Sequence, residues 1–82
     1  MKPADIRKRI AKIPKRAIVN ALRNLNLGPS NLSMQSKSDL LSITRNGLNS
    51  DKADGLALHL SDEWKVLEPA SWRANQPAAQ TS

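Results

Sequence analysis

Apolar residues recur along most of this chain at helical spacing and nowhere alternate as they would in a half-buried strand. Ile6, Ile10 and Ile13 stand at i, i+4 and i+7, a single narrow stripe. Pro3 suits the first turn of a helix, where its missing N–H costs nothing, and Asp5 falls in the same turn, where the helix dipole favours an anion. Pro14 disfavours helical geometry in the residue before it, so this first helix is expected to end or kink near Ile13. A second stripe, Ile18, Ala21, Leu22 and Leu25, predicts a helix from Pro14 to about Asn26. Gly28 is expected to close it as a left-handed cap, with Pro29 blocking continuation.

Residues 28–35 read as a loop whose Leu32 and Met34 are expected to be pinned to the core. Ser36 to Asp39 has the spacing of a capping box, with Asp where Glu or Gln is preferred. Leu40, Leu41, Ile43 and Thr44 follow as a short third helix, which Asn46-Gly47 is expected to end. Ser50 is a good N-cap for a fourth helix, with Asp51 and Asp54 in its first turn. Ala53, Leu56, Ala57, Leu60 and Trp64 form its inner face. Gly55 costs that helix ~1 kcal/mol relative to Ala, which predicts close packing there. From Glu68 onward two prolines and mostly small or polar residues offer little surface to bury. The expected organisation is a basic helical domain over 1–67 and a flexible Pro/Ala/Gln-rich tail over 68–82. The fold class is all-α, a compact bundle of three to four short helices.

Composition narrows the chemistry. The 82 residues contain no cysteine, which excludes a disulfide scaffold, a Cys-ligated zinc module and a thiol enzyme. A chain this short can barely bury one core, which weighs against an enzyme with its own pocket. His59 is the single histidine. As a metal ligand it would depend on Asp62 and Glu63 alone, and as a base it would need Ser42 or Ser61 beside it. No phosphate-cradling glycine motif occurs. The expectation is a non-enzymatic protein without a cofactor. The N-terminus lacks the apolar segment of a secretory signal, and no run approaches the ~18–20 apolar residues of a membrane span. A cytoplasmic protein without membrane contact is therefore expected.

Charge is the most informative property. The net charge is +6, yet residues 1–23 carry eight basic residues against Asp5 alone, while residues 24–82 carry five bases against six acids. Arg7, Lys8, Arg9 and Lys12 lie around the sides and back of the isoleucine stripe, Lys15 and Arg16 extend the patch across Pro14, and Arg23 follows. Such a concentration attracts a phosphate backbone, with affinity set by counterion release. Nucleic acid is thus the expected partner, duplex DNA foremost. With no Phe or Tyr, and both Trp outside the basic part, a base-stacking single-strand platform is a poor fit.

Leu25-Asn-Leu-Gly28, followed by Asn31-Leu-Ser-Met-Gln-Ser-Lys37-Ser-Asp39-Leu40-Leu41, resembles the helix–extended loop–helix modules. These are the SAP and HeH families and the N-terminal helical subdomain of the transcription terminator Rho. Lys37, Asp39, Leu40 and Leu41 match their Lys-x-acid-Leu-aliphatic signature, and Asn31 and Ser33 fit the Rho-like loop. The resemblance covers residues 17–46, and its expected basic residue after the aliphatic pair is displaced to Arg45. It implies DNA binding through the loop and the second helix's N-terminus, with Lys37, Ser36 and Ser38 as phosphate contacts.

A second reading is a protein-interaction module, an adaptor or inhibitor docking on an acidic surface of a larger host protein, as viral proteins of this size and character do. Trp72 and Arg73 are its candidate anchors, since Trp and Arg are enriched in binding hot spots. Docking of Trp72 back onto its own domain is the alternative. A homodimer burying the Ile6/Ile10/Ile13 stripe would enlarge a small core.

Overall fold

In the computed structural model, which describes residues 2–75, five helices and two short 3₁₀ turns follow one another without a strand among those residues. They are α1 (Pro3–Arg9), α2 (Lys15–Asn24), α3 (Lys37–Leu48), α4 (Ala53–Leu67) and α5 (Pro69–Ala74), with 3₁₀ turns at Ile10–Lys12 and Leu32–Met34. The helix α4 is the centre of the arrangement and touches each of the other four.

Its inner face explains why. Leu56, Ala57, Leu60 and Trp64 are buried on α4, on the face that their periodicity predicts. Ile6, Ile10 and Ile13 fill the same core at 0%, 3% and 0% exposure. The stripe is consumed within one chain, so it offers no face to a second copy. Ala17, Ile18, Val19, Ala21 and Leu22 are buried on α2. Thr44 is fully buried too, and its hydroxyl donates to the Leu40 carbonyl one turn back at 2.7 Å. No buried side-chain nitrogen or oxygen lacks a partner among the described residues.

Several boundaries depart from the expected ones. The first helix stops at Arg9, and the chain tightens into the 3₁₀ turn before reaching Ile13, whose ψ of 133° is the extended geometry a following proline demands. At the end of α2 the left-handed residue is Asn26 (φ 55°), not Gly28. Leu27 N–H reaches the Leu22 carbonyl at 2.9 Å and Asn26 N–H the Arg23 carbonyl at 3.2 Å, the paired bonds of a Schellman motif. Gly28 also has positive φ (79°), but it serves the following turn, where an added Cβ would lie 3.1 Å from Leu32 and 3.2 Å from Ile43. Ser50 accepts from the Lys52 N–H at 3.2 Å and donates to the Gly47 carbonyl at 2.7 Å. It therefore ties the turn that precedes α4 rather than capping the helix itself.

Neither glycine of the second half has the role read from the sequence. Gly47 does not end α3, which continues to Leu48. Instead Gly47 is buried where α3 meets α4: an added Cβ would sit 2.6 Å from Leu56 Cδ2 and 3.1 Å from Leu27 Cδ1. At Gly55 the nearest atom, Leu25 Cδ2, would be 3.8 Å away, an ordinary contact. Gly47→Ala is accordingly expected to destabilise the fold. Helix propensity returns ~1 kcal/mol, but overpacking against the fully buried Leu56 costs typically ~1–3 kcal/mol. The measurement is the urea midpoint, expected to fall at unchanged m; a higher midpoint would show that Leu56 has room to move.

The composition after Glu68 predicts a flexible tail, yet Pro69–Ala74 form α5 against α4. Pro69 opens the helix, where its fixed φ is an asset. Two indoles join the helices reciprocally: Trp64 Nε1–H donates to Ser71 Oγ at 3.2 Å, and Trp72 Nε1–H to Ser61 Oγ at 2.9 Å. The rest of the expected tail, residues 76–82, lies outside the described residues.

Candidate nucleic-acid interface

The basic residues of 7–23, with Lys37 and Lys52, fall into two sets by what their donors do, while Lys2, Arg45 and Arg73 are exposed elsewhere and Lys65 lies over Trp72. Arg7 reaches across to the end of α3, donating to the Leu48 carbonyl at 3.1 Å and to Asn49 Oδ1 at 2.7 Å. Arg9 donates to the Asp5 carbonyl at 3.1 Å, with the Asp5 carboxylate 4.0 Å away. Lys37 Nζ donates to the Ala11 carbonyl at 2.9 Å, stitching the start of α3 to the first 3₁₀ turn. Lys52 Nζ lies 3.4 Å from the Leu25 carbonyl at the end of α2. The Leu48 and Leu25 carbonyls lie at helix C-termini, where carbonyls lack intrahelical partners and carry the negative end of the dipole, so a cation is well placed on them. The Asp5 carbonyl, in the first turn of α1, is a local contact four residues back from Arg9.

The second set is Lys8, Lys12, Lys15, Arg16 and Arg23. All five are exposed, and none forms a hydrogen bond or ion pair with another described residue. Three of them come together. Lys15, Arg16 and Arg23 line a shallow groove of about 430 Å³ with Val19, Asn20 and Ser33. The groove runs along α2 and is closed at one side by the second 3₁₀ turn. Helical geometry places Lys15 and Arg23 about 12 Å apart along the axis. The N-terminus of α2 has no side-chain cap, so its free N–H groups add positive potential beside Lys15 and Arg16. One acid stands at the edge: Glu63, half-buried, accepts from Asn20 Nδ2 at 3.2 Å.

The remaining residues singled out in the sequence fall elsewhere. Ser36 accepts from the Asp39 N–H at 3.2 Å as the N-cap of α3, so its hydroxyl is engaged. Ser38 is exposed beside it. Trp72 is half-buried, with Lys65 Nζ 5.0 Å above its ring, and is docked on its own domain rather than standing free in a tail. Arg73 is exposed. His59 is half-buried on α4, and among the described residues no three His, Cys, Asp or Glu side chains gather as a metal site. No helix of the described residues is long and apolar enough to cross a membrane.

Asn20 and Ser33 line the groove without being among the predicted contact residues, although Ser33 falls in the loop through which the family resemblance implies DNA binding. Helical projection could have found Asn20, since it follows Arg16 by four residues. Ser33 could not be found that way, because it reaches α2 only through the path of the loop. Met34, expected in the core, is 82% exposed, because the second 3₁₀ turn points Leu32 inward in its place. Compared with known proteins, the chain matches no family model, no curated protein and no solved structure.

Proposed function

We propose that this protein is a non-enzymatic nucleic-acid-binding protein that holds the phosphate backbone of a duplex, DNA foremost, in the groove along α2. The observation that carries this reading is the division of the cations. Arg7, Arg9, Lys37 and Lys52 are engaged by carbonyls, whereas Lys15, Arg16 and Arg23 meet around one groove with no partner among the described residues. Exposed cations spread along one groove match a ligand with many charges at regular spacing. Over about 12 Å of axis a DNA duplex presents roughly seven phosphate charges, a better match to a row of cations than one small anion. Lys8 and Lys12 supply further positive charge from the preceding segment. A single strand is disfavoured by the same geometry. Base stacking needs aromatic faces, and Trp64 is fully buried while Trp72 packs on α4. In this reading the protein works in the cytoplasm.

The test is fluorescence anisotropy of labelled duplex DNA, duplex RNA and single-stranded DNA at several salt concentrations. Duplex DNA is expected to bind tightest, with log K falling linearly in log salt at a slope of about −0.9 per phosphate engaged. Equal affinity for single-stranded DNA would contradict the duplex assignment. No binding at low salt, where nonspecific attraction is strongest, would leave the groove as a docking face for an acidic protein.

A further inference from the structure

Among the described residues Met34 is the most exposed of the large apolar side chains, at 82%, ahead of Val66 at 77% and Leu58 at 58%. Its position is held. Leu32, two residues earlier in the same turn, is buried at 3%, and Met34 N–H donates to the Asn31 carbonyl at 3.0 Å. Gln35 closes the turn twice, by its N–H to the Leu32 carbonyl at 3.1 Å and by Nε2 to Asn31 Oδ1 at 3.1 Å. The residue before Met34 is Ser33, which lines the basic groove with Lys15, Arg16 and Arg23. An apolar side chain is thus presented to solvent on a fixed turn, one residue from the rim of a cationic groove. Met34 is not itself a lining residue, and neither are Val66 and Leu58 on α4; of the three, Met34 alone is the chain neighbour of one, Ser33.

We infer that Met34 is a wedge: when a DNA duplex occupies the groove, its side chain enters between two adjacent base pairs, unstacks them and bends the duplex. This rests on the reading of the α2 groove as a phosphate-binding surface. Lys15, Arg16 and Arg23 hold the backbone while the unbranched, polarizable thioether slides between base faces. Apolar residues, Met among them, act in this way in proteins that kink duplexes from the minor groove. Unstacking is easiest at pyrimidine–purine steps, so TA- and CA-containing duplexes are favoured at a position the protein reads by shape alone.

The test uses the full chain and a duplex of about 25 base pairs carrying a donor and an acceptor dye at its two ends, with binding followed separately by anisotropy. The wild type is expected to bring the ends together by a bend in the range of roughly 20–90°. Met34→Ala is expected to lose that change in energy transfer while its salt slope stays as in the wild type and its affinity falls less than tenfold. Met34→Leu is expected to keep the bend. Because Met34 is exposed, both variants should melt with the wild type, which circular dichroism checks. A wild type that binds without bending, or a Met34→Ala variant that bends the duplex as the wild type does, overturns the wedge and leaves the groove reading intact. A wild type that does not bind duplex DNA overturns both.

Discussion

Trp64→Ala is expected to remove most of the stability of this protein. Trp64 is completely buried, and it sits on the one helix that touches all the others. Truncating a buried tryptophan costs about 3–5 kcal/mol, from the transfer free energy forgone and from the cavity left where neighbours cannot collapse. A domain of this size has a total stability near the low end of the usual ~5–15 kcal/mol, so the loss is a large fraction of the whole. The same change removes the bond from Nε1 to Ser71, one of the two indole bonds that join α5 to α4. Thermal and urea unfolding followed by circular dichroism check this. Trp64→Phe separates the two contributions: it keeps much of the apolar volume and loses the Ser71 bond, worth about 1 kcal/mol. A Trp64→Ala variant that melts within a few degrees of the wild type would mean that α4 is not the organising element.

The second large effect concerns binding, and it contrasts two sets of three cations. Replacing Lys15, Arg16 and Arg23 together by Gln is expected to lower the magnitude of the salt slope on duplex DNA by about 3, roughly 1 for each phosphate no longer neutralised. At 0.1 M salt this corresponds to a loss of affinity on the order of 10²- to 10³-fold. Replacing Arg7, Arg9 and Lys37 by Gln removes the same formal charge. Their donors are engaged by the Leu48, Asp5 and Ala11 carbonyls, so the smaller change in slope is expected there, with a lower melting temperature as the main result. Anisotropy titrations across salt, beside thermal melts of both variants, distinguish the two. Equal changes in slope for the two sets would show that total charge, and not the α2 groove, governs binding.

Much of the fold is legible in the sequence because each element satisfies local rules without help from afar. Ile6, Ile10 and Ile13 share a face on spacing alone, and all three are in the core. Ser36 caps α3 because a short hydroxyl at that position reaches the N–H three residues on. Trp64 continues the inner face of α4 as its periodicity requires. Where two local signals compete, the tertiary structure chooses. Asn26 and Gly28 can both adopt positive φ, and the Schellman bonds of α2 select the first. Gly47 looks like a helix stop after Asn46, but the approach of Leu56 makes its missing side chain a packing requirement. The segment after Glu68 has a tail-like composition, and its helix is held in part by Ser61 of α4, which accepts from the Trp72 indole.

The candidate interface divides along the same line. Sequence alone determined that the positive charge is concentrated in residues 1–23, that the chain is helical, and that α2 carries Lys15, Arg16 and Arg23 on its polar side. Apart from Arg9, held by Asp5 four residues earlier, the tertiary structure decided which of these cations keep their donors available. Arg7 meets the Leu48 carbonyl across 41 positions of sequence and Lys37 meets Ala11 across 26, and no local pattern encodes such pairings. It also decided that Leu32 turns inward while Met34, two residues on, faces water. The physical reason is common to all of these. Helix periodicity and end-capping are set by neighbours within about four residues, whereas the fate of a long cationic side chain or a loop methionine depends on which distant backbone the packed core brings within reach.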